Sequence, residues 1–309
     1  MFGGVGVAVG AHPLQIRIST KIGRGATLGG LGEDDPLSGR VLDAVQRVLP
    51  ANAPAVHLDF IRTPPRHVGL GSGTLILLGA VASIDAVFDV GLDRSTIQRS
   101  TRRGGASGVG VHSFFTGGFV FDGGHPLKSR SKSRFMPSTF LERTQHDVPP
   151  LISRIPAPNS WHVALLCPTE FGAMSGTEEE QFFKTRLPLQ REDALVALSH
   201  VYHGIAPSLI AKDLRLFRRS LHSLQDVGLK RLEIERLAPQ QRDVLRRIRK
   251  LPRVAAGLSS FGPLVFAVLE ADDSQSRASI EKVCSNIDVA PVWASFANNG
   301  YTVSKIVGA

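Results

Sequence analysis

The sequence has only two cysteines, Cys167 and Cys284, one inside an apolar run and the other in a helical pattern. That count excludes a disulfide framework and a cysteine-based zinc site, and a reducing, intracellular compartment is expected. Long hydrophobic runs are also missing. The longest nearly apolar stretch, residues 73–84, stops at Asp85, short of the ~20 residues that span a bilayer, so no membrane association is expected. The start, MFGGVGVAVG, has no basic residue ahead of its apolar run and does not read as a secretory signal, which points to the cytoplasm. No Gly-x-x-x-x-Gly-Lys-Ser/Thr loop, RRM, KH or zinc-finger pattern, fixed-period repeat or heptad array occurs.

What is present suits a globular protein. Of 309 residues, 42% are hydrophobic and 20% charged, enough to bury a sizeable core in about two domains. The 36 Lys and Arg against 27 Asp and Glu give a net charge of +9, which favours an anionic partner. Nucleic acid, a phosphorylated metabolite and a plain solubility charge all satisfy that balance.

β-like runs are expected at 4–9, 14–19 and 55–61, and a helix over 36–48 with Leu37, Val41, Ala44 and Val48 on one face, capped by Asp34 or Asp35. An apolar helix follows over 72–88, then another over 93–102 that Gly104 and Gly105 would end. Between 117 and 158 the chain reads as irregular and proline-rich, which puts a domain boundary near 157. Beyond it, a strand is expected at 161–167, then a long amphipathic helix opened by Pro207 and closed by Gly228, carrying Leu209, Leu216, Phe217, Leu221 and Leu224. A basic helix over 239–250, a strand at 264–269, a helix over 273–286 and strands near 291–296 and 301–307 complete it. This order predicts an α+β second domain with its sheet covered on one side.

Three small-residue loops carry the chemistry. The first is Arg66-His67-Val68-Gly69-Leu70-Gly71-Ser72-Gly73-Thr74 at the entry to the apolar helix. Its glycines let backbone N–H groups converge on an anion beside the positive end of a helix dipole, with Ser72 and Thr74 able to add hydroxyls. The second runs from Arg103 through Ser107, Gly108, Gly110 and His112 to Asp122-Gly123-Gly124-His125, and the third is Gly257-Leu258-Ser259-Ser260-Phe261-Gly262-Pro263. Together they suggest a cleft lined by backbone donors. Lys128 to Arg134 is basic but lacks interleaved aromatics, so nucleic acid is disfavoured. Arg246, Arg247, Arg249 and Lys250 read as the solvated side of a helix.

The first loop resembles the phosphate-binding loop of the GHMP superfamily. More narrowly, residues 103–110, 118–125, Phe135-Met136-Pro137-Ser138 and 257–263 resemble the beta-ribofuranosylaminobenzene 5'-phosphate synthase family, and the likeness runs over nearly the whole chain. Members of that family usually carry a further strand before the counterpart of residues 2–5, and Gln where this chain has Leu75. The resemblance implies a two-domain GHMP-type α+β fold, with an N-terminal domain over 1–157 holding the anion loops and a ferredoxin-like C-terminal domain over 158–309. It implies a phosphoribosyl-pyrophosphate-dependent synthase that joins ribose 5-phosphate to 4-hydroxybenzoate or 4-aminobenzoate and releases carbon dioxide and pyrophosphate, as in methanopterin biosynthesis. A sister group uses a pyrazole carboxylate for C-nucleoside antibiotics. An ATP-dependent kinase on the same fold and a basic nucleic-acid-binding protein are the other readings, and a homodimer stays open.

On this reading Gly69, Leu70, Gly71, Ser72, Gly73 and Thr74 bind the pyrophosphate or the 5'-phosphate, with pyrophosphate preferred because the related kinases hold a nucleotide's phosphates there, and Arg103, Ser107, Gly108 and Gly110 face the same anion. Asp122 would bind magnesium or the ribose hydroxyls, unless Asp-Gly-Gly is only a turn. His125 and Lys128 would take the acceptor carboxylate or the sugar phosphate, unless Lys128 lies in a solvated loop. His67 and His112 flank the loops, as ligand-facing or ordinary polar residues, and Ser138, Ser259 and Ser260 line the cleft. From Arg94 to Phe121 the chain has no Asp or Glu. A kinase base is expected there, whereas a decarboxylating synthase needs cationic donors and magnesium for the leaving pyrophosphate.

Overall fold

A computed structural model describes residues 3–32, 35–105, 107–124, 148–167, 176–187, 189–287 and 289–304. In chain order it contains β1 (Gly4–Val7), β2 (Gln15–Lys21), β3 (Ala26–Gly29), α1 (Pro36–Gln46), β4 (Ala55–Arg62), α2 (Ser72–Phe88), α3 (Arg94–Thr101), α4 (Val109–Thr116), β5 (Phe119–Asp122), β6 (Leu151–Ile155) and β7 (Trp161–Leu166). Then come α5 (Gly176–Arg186), α6 (Arg191–His200), a π-helical turn (Val201–Ile205), α7 (Ala206–Ala211), α8 (Leu214–Gln225), α9 (Gly228–Glu235), α10 (Pro239–Arg249), β8 (Ala255–Leu258), β9 (Val265–Glu270), α11 (Ser274–Ser285) and β10 (Val292–Ser295).

Helix α1 starts where the Asp35 carboxylate accepts from the Leu37 amide at 2.9 Å, next to a proline at the first turn, as N-cap chemistry requires. Helix α2 is apolar nearly all round, which marks it as a core helix. It packs with α1, α3 and α4 around Leu58, Ile76, Leu77, Val81 and Ile97, over the sheet β2-β4-β3. A second sheet, β1-β5-β6, is antiparallel, with β1 at its edge.

The third sheet has the order β10-β7-β9-β8 with antiparallel neighbours. Numbered by their succession within the sheet this is 4-1-3-2, the split β-α-β arrangement of ferredoxin-like domains. The sheet is covered on both faces, not one. Val163, Leu165 and Val268 pack towards Leu209, Phe217 and Leu221, while Ala164, Leu166, Ala267 and Leu269 pack towards Val244, Ile248, Ile280 and Cys284. The unbroken burial of Val163–Leu166 is what two-sided coverage demands of a strand. The same core reaches across residue 157, because Phe119 and Phe121 of β5 pack with Trp161 and Phe217.

Other departures have local causes. Helix α3 ends at Arg102, itself left-handed at φ 52°, rather than at Gly104. The segment read as irregular contains β5 and β6, paired through Phe119 to Ile155 and Val120 to Arg154. The long helix expected from Pro207 breaks at Lys212, φ 53°, and restarts at α8, where the Asp213 carboxylate accepts from the Leu216 amide. Gly228 opens α9 rather than closing a helix. Residues 301–304 form no strand. Arg191–Ala211 is a continuous helical run of 21 residues, long and apolar enough by length and composition to cross a membrane, and its Leu195, Val196 and Tyr202 are exposed.

Candidate active site

The first loop joins β4 to α2. Gly69 (φ 97°) and Gly71 (φ 67°), the N-cap of α2, occupy left-handed backbone, which a side chain would penalise. Among the described residues a Cβ on Gly71 would meet nothing within 4 Å, so they leave open the space over the free amides of the first helical turn. Ser72 does not turn its hydroxyl towards that space; it donates to the Pro65 carbonyl and fixes the loop. His67 is left-handed at φ 59°, lies near the Arg66 guanidinium, and is held below its ordinary pKa by burial and by that charge. Arg66 in turn pairs with Asp35 at the start of α1.

Arg103 supplies a fixed cation at this place. Its Nε–H donates to Thr74 Oγ1 at 2.9 Å, and another guanidinium nitrogen lies 3.8 Å from where a Gly73 Cβ would stand. Burial first and then Arg40 lower its pKa, with Glu179 opposing both, to about 10, so it stays charged at neutral pH.

The second loop is partly a helix. Residues 109–116 form α4, and Gly110 packs against Thr74, with 3.4 Å from an added Cβ to Thr74 Cγ2. Asp122 is buried, and its carboxylate accepts four hydrogen bonds: from the Gly4 amide at 3.1 Å, the Gly124 amide at 3.0 Å, Ser107 Oγ at 2.8 Å and the Gly108 amide at 2.9 Å. A carboxylate has about four acceptor directions, and these four bonds make Asp122 the anchor of the turn between β1, β5 and α4. The Ser107 hydroxyl and Gly108 amide are consumed by the same anchor and are not aimed at an anion. Among the described residues no three His, Cys, Asp or Glu side chains gather as metal ligands. His112 bonds through Nε2 to the Pro149 carbonyl at 2.7 Å and packs on Gly108, which makes it a strut.

The third loop clasps the first. Ser259 Oγ donates to the Gly69 carbonyl at 2.5 Å, the Ser260 carbonyl lies 3.3 Å from a Cβ placed on Gly69, and one placed on Gly262 would stand 2.1 Å from the Val68 carbonyl carbon. Ser259 and Ser260 therefore shape the Gly69–Thr74 loop. Ala106, His125, Lys128 and Ser138 lie outside the described residues.

Sequence reasoning missed two carboxylates here. Glu179 of α5 is half-buried and interacts with Arg103; burial raises its pKa to about 7, against the pull of Arg103 and with the push of Glu233. Glu233 of α9 is only 4% exposed. Its Oε2 accepts from Lys230 Nζ at 2.8 Å and the Phe261 amide at 3.1 Å, while its Oε1 has no hydrogen-bond partner among the described residues. No motif announces them, because they reach the glycine loops from distant polar helices.

No protein-family model matches the chain. It is 28% identical over 287 residues to a beta-ribofuranosylphenol 5'-phosphate synthase of Methanothermobacter thermautotrophicus, covering 91% of this chain and 85% of the relative. The synthase of the same name from Archaeoglobus fulgidus is 30% identical over 241 residues, 78% of this chain and 69% of the relative. Among solved structures, homoserine kinase from Cytophaga hutchinsonii superposes with a TM-score of 0.66 at 18% identity, covering 96% of this chain and 90% of that one. Leishmania major mevalonate kinase does so with 0.67 at 13% identity, covering 96% and 90%. The glycine loops thus sit on the fold of the GHMP kinases, and the chain belongs to the beta-ribofuranosylphenol 5'-phosphate synthase family.

Proposed function

We propose that the protein is a phosphoribosyl-pyrophosphate-dependent, decarboxylating carbon-glycoside synthase that joins ribose 5-phosphate to a hydroxy- or aminobenzoate. The observation that supports this most is Arg103, fixed by Thr74 at the open mouth of the Gly69–Gly73 turn. As the bond from C1 to the pyrophosphate oxygen breaks, its electron pair leaves with pyrophosphate, and a guanidinium placed there stabilises charge as it develops. The ring carbon bearing the carboxylate forms the new bond to C1. Carbon dioxide then departs and its bonding pair restores aromaticity, so no base is needed at that carbon, in keeping with the absence of Asp and Glu from Arg94 to Phe121. The curated relatives' name describes a phenol carrying a ribofuranosyl 5'-phosphate. Magnesium, on this reading, belongs to the pyrophosphate substrate complex and not to Asp122.

The test is incubation with phosphoribosyl pyrophosphate, magnesium and a panel of aromatic acids. Carbon dioxide and pyrophosphate should appear in equal amounts. Consumption of ATP with no need for phosphoribosyl pyrophosphate would establish the kinase reading instead.

A further inference from the structure

Three phenylalanines and two carboxylates meet beside the anion loop. Glu179, Phe182 and Phe183 are spaced three and four apart on α5 and so share one helical face. The Phe182 and Phe183 rings lie 5.4 and 5.2 Å from the ring of Phe261. Both are buried, whereas Phe261 is half-buried, so Phe261 is the member of the trio with ring surface to offer. It holds a left-handed backbone at φ 50°, a costly conformation for a bulky residue that the surroundings must enforce. Its amide donates to Glu233 Oε2 at 3.1 Å. One loop thereby presents an aromatic ring, a bond to a buried carboxylate, and Gly262 against Val68 at the start of the anion loop.

Glu233 Oε1 is the buried side-chain oxygen left without a partner among the described residues. A buried acceptor with no donor is costly, and a donor-bearing guest relieves it. We propose that the Glu179–Glu233 pair takes the hydroxyl proton of a phenolic acceptor whose ring lies against Phe261, with Glu179 as the catalytic base. This inference rests on the synthase reading above. The phenol O–H bond breaks, its proton passes to Glu179, and its electron pair stays on oxygen as phenolate, which raises electron density at the para carbon that bonds to C1. After carbon dioxide has left, the proton returns to the phenolate oxygen. No further reagent is required.

The charged surroundings fit that role. Arg103 draws the Glu179 carboxyl towards ionisation, while burial and Glu233 hold its proton affinity up. Arg40 repels the Arg103 charge, Lys230 occupies the other oxygen of Glu233, and Arg236 lies over the Phe182 ring at 5.2 Å. A carboxylate poised near neutrality in this way is suited to accept a proton and give it back.

A phenol and an aniline separate this role from a structural one, because an amine lone pair already feeds the ring without losing a proton. Glu179→Gln should lower kcat with 4-hydroxybenzoate by about 10²-fold or more, and with 4-aminobenzoate by less than about tenfold. The wild-type kcat/KM for the hydroxy acid should fall below about pH 7, the Glu179 value, and that limb should be missing with the amino acid. Glu233→Gln should move the limb to lower pH, since a like charge has gone. At pH 8 Glu179→Gln should melt at or above the wild type, because an ionised buried carboxylate is relieved, whereas a structural ion pair would make it melt lower. Equal losses on both acceptors, or the same acid limb with both, would overturn the assignment. If Glu179→Gln does not fold, the two wild-type pH profiles decide alone. A wild type inactive with both acids overturns the synthase reading itself, and so the two failures are distinguishable.

Discussion

At the residue scale, the proposed anion loop rests on Gly71 for conformation and on Arg103 for charge. Gly71→Val forces a β-branched side chain into left-handed backbone and into the open space above α2. It should weaken phosphoribosyl pyrophosphate binding by more than about tenfold while costing about 1–2 kcal/mol of stability. Calorimetric titration and a melting curve on the same sample measure both, and unchanged binding would remove the loop from the site. Arg103→Ala should lower kcat by about 10²-fold, with Arg103→Lys recovering part of it, since an ammonium cannot both hold Thr74 and reach the leaving group. A destabilised but fully active Arg103→Ala would reduce that arginine to a packing role. The glycine loop and Arg103 were legible in the sequence because glycine at a helix entry and a cation near it are local signals. Glu179 and Glu233 were not, because their meaning arises only when α5 and α9 are brought against the Phe261 loop.

At the scale of elements, Asp122 shows how a residue that reads as catalytic in sequence becomes a clamp in space. Its four hydrogen bonds tie β1, the end of β5 and the entry to α4. Asp122→Asn turns an NH2 group towards donors and removes the charge, which should cost about 3 kcal/mol and lower Tm. The magnesium dependence of the remaining turnover should be unaltered, and a specific loss of magnesium affinity would return Asp122 to the metal. Helix α2 was read with its observed limits, because a glycine entry and an unbroken apolar run define it. Helix α4 was read as loop because Gly108 and Gly110 look like breakers; the Asp122 clamp and packing on Thr74 override that propensity. The break at Lys212 had a visible signal in Asp213, an N-cap residue inside the helix expected there.

At the scale of the molecule, one apolar cluster runs from β5 across residue 157 into the ferredoxin-like sheet. The division near 157 is therefore proposed as a boundary between two sequence units that melt together, and calorimetry should show one transition; two separated transitions would contradict a shared core. Acid should loosen the fold in a definite window. His222 is held neutral by burial and by Arg249 and Arg218, its pKa lowered from 6.5 to about 4, with Nε2 accepting from the Ala256 amide. The folded state resists a proton that the unfolded chain takes, so this contribution is complete above pH 6.5 and is lost as pH falls towards 4. His222→Gln should flatten Tm over that range, and an unchanged slope would acquit this histidine. All of this organisation serves one claim, that the glycine loops and Arg103 hold a pyrophosphate leaving from a ribose. The direct measurement is simultaneous release of pyrophosphate and carbon dioxide from phosphoribosyl pyrophosphate and 4-hydroxybenzoate. Equal release, slowed about 10²-fold in Arg103→Ala, is the predicted result; no release of either, with ATP consumed instead, would contradict it.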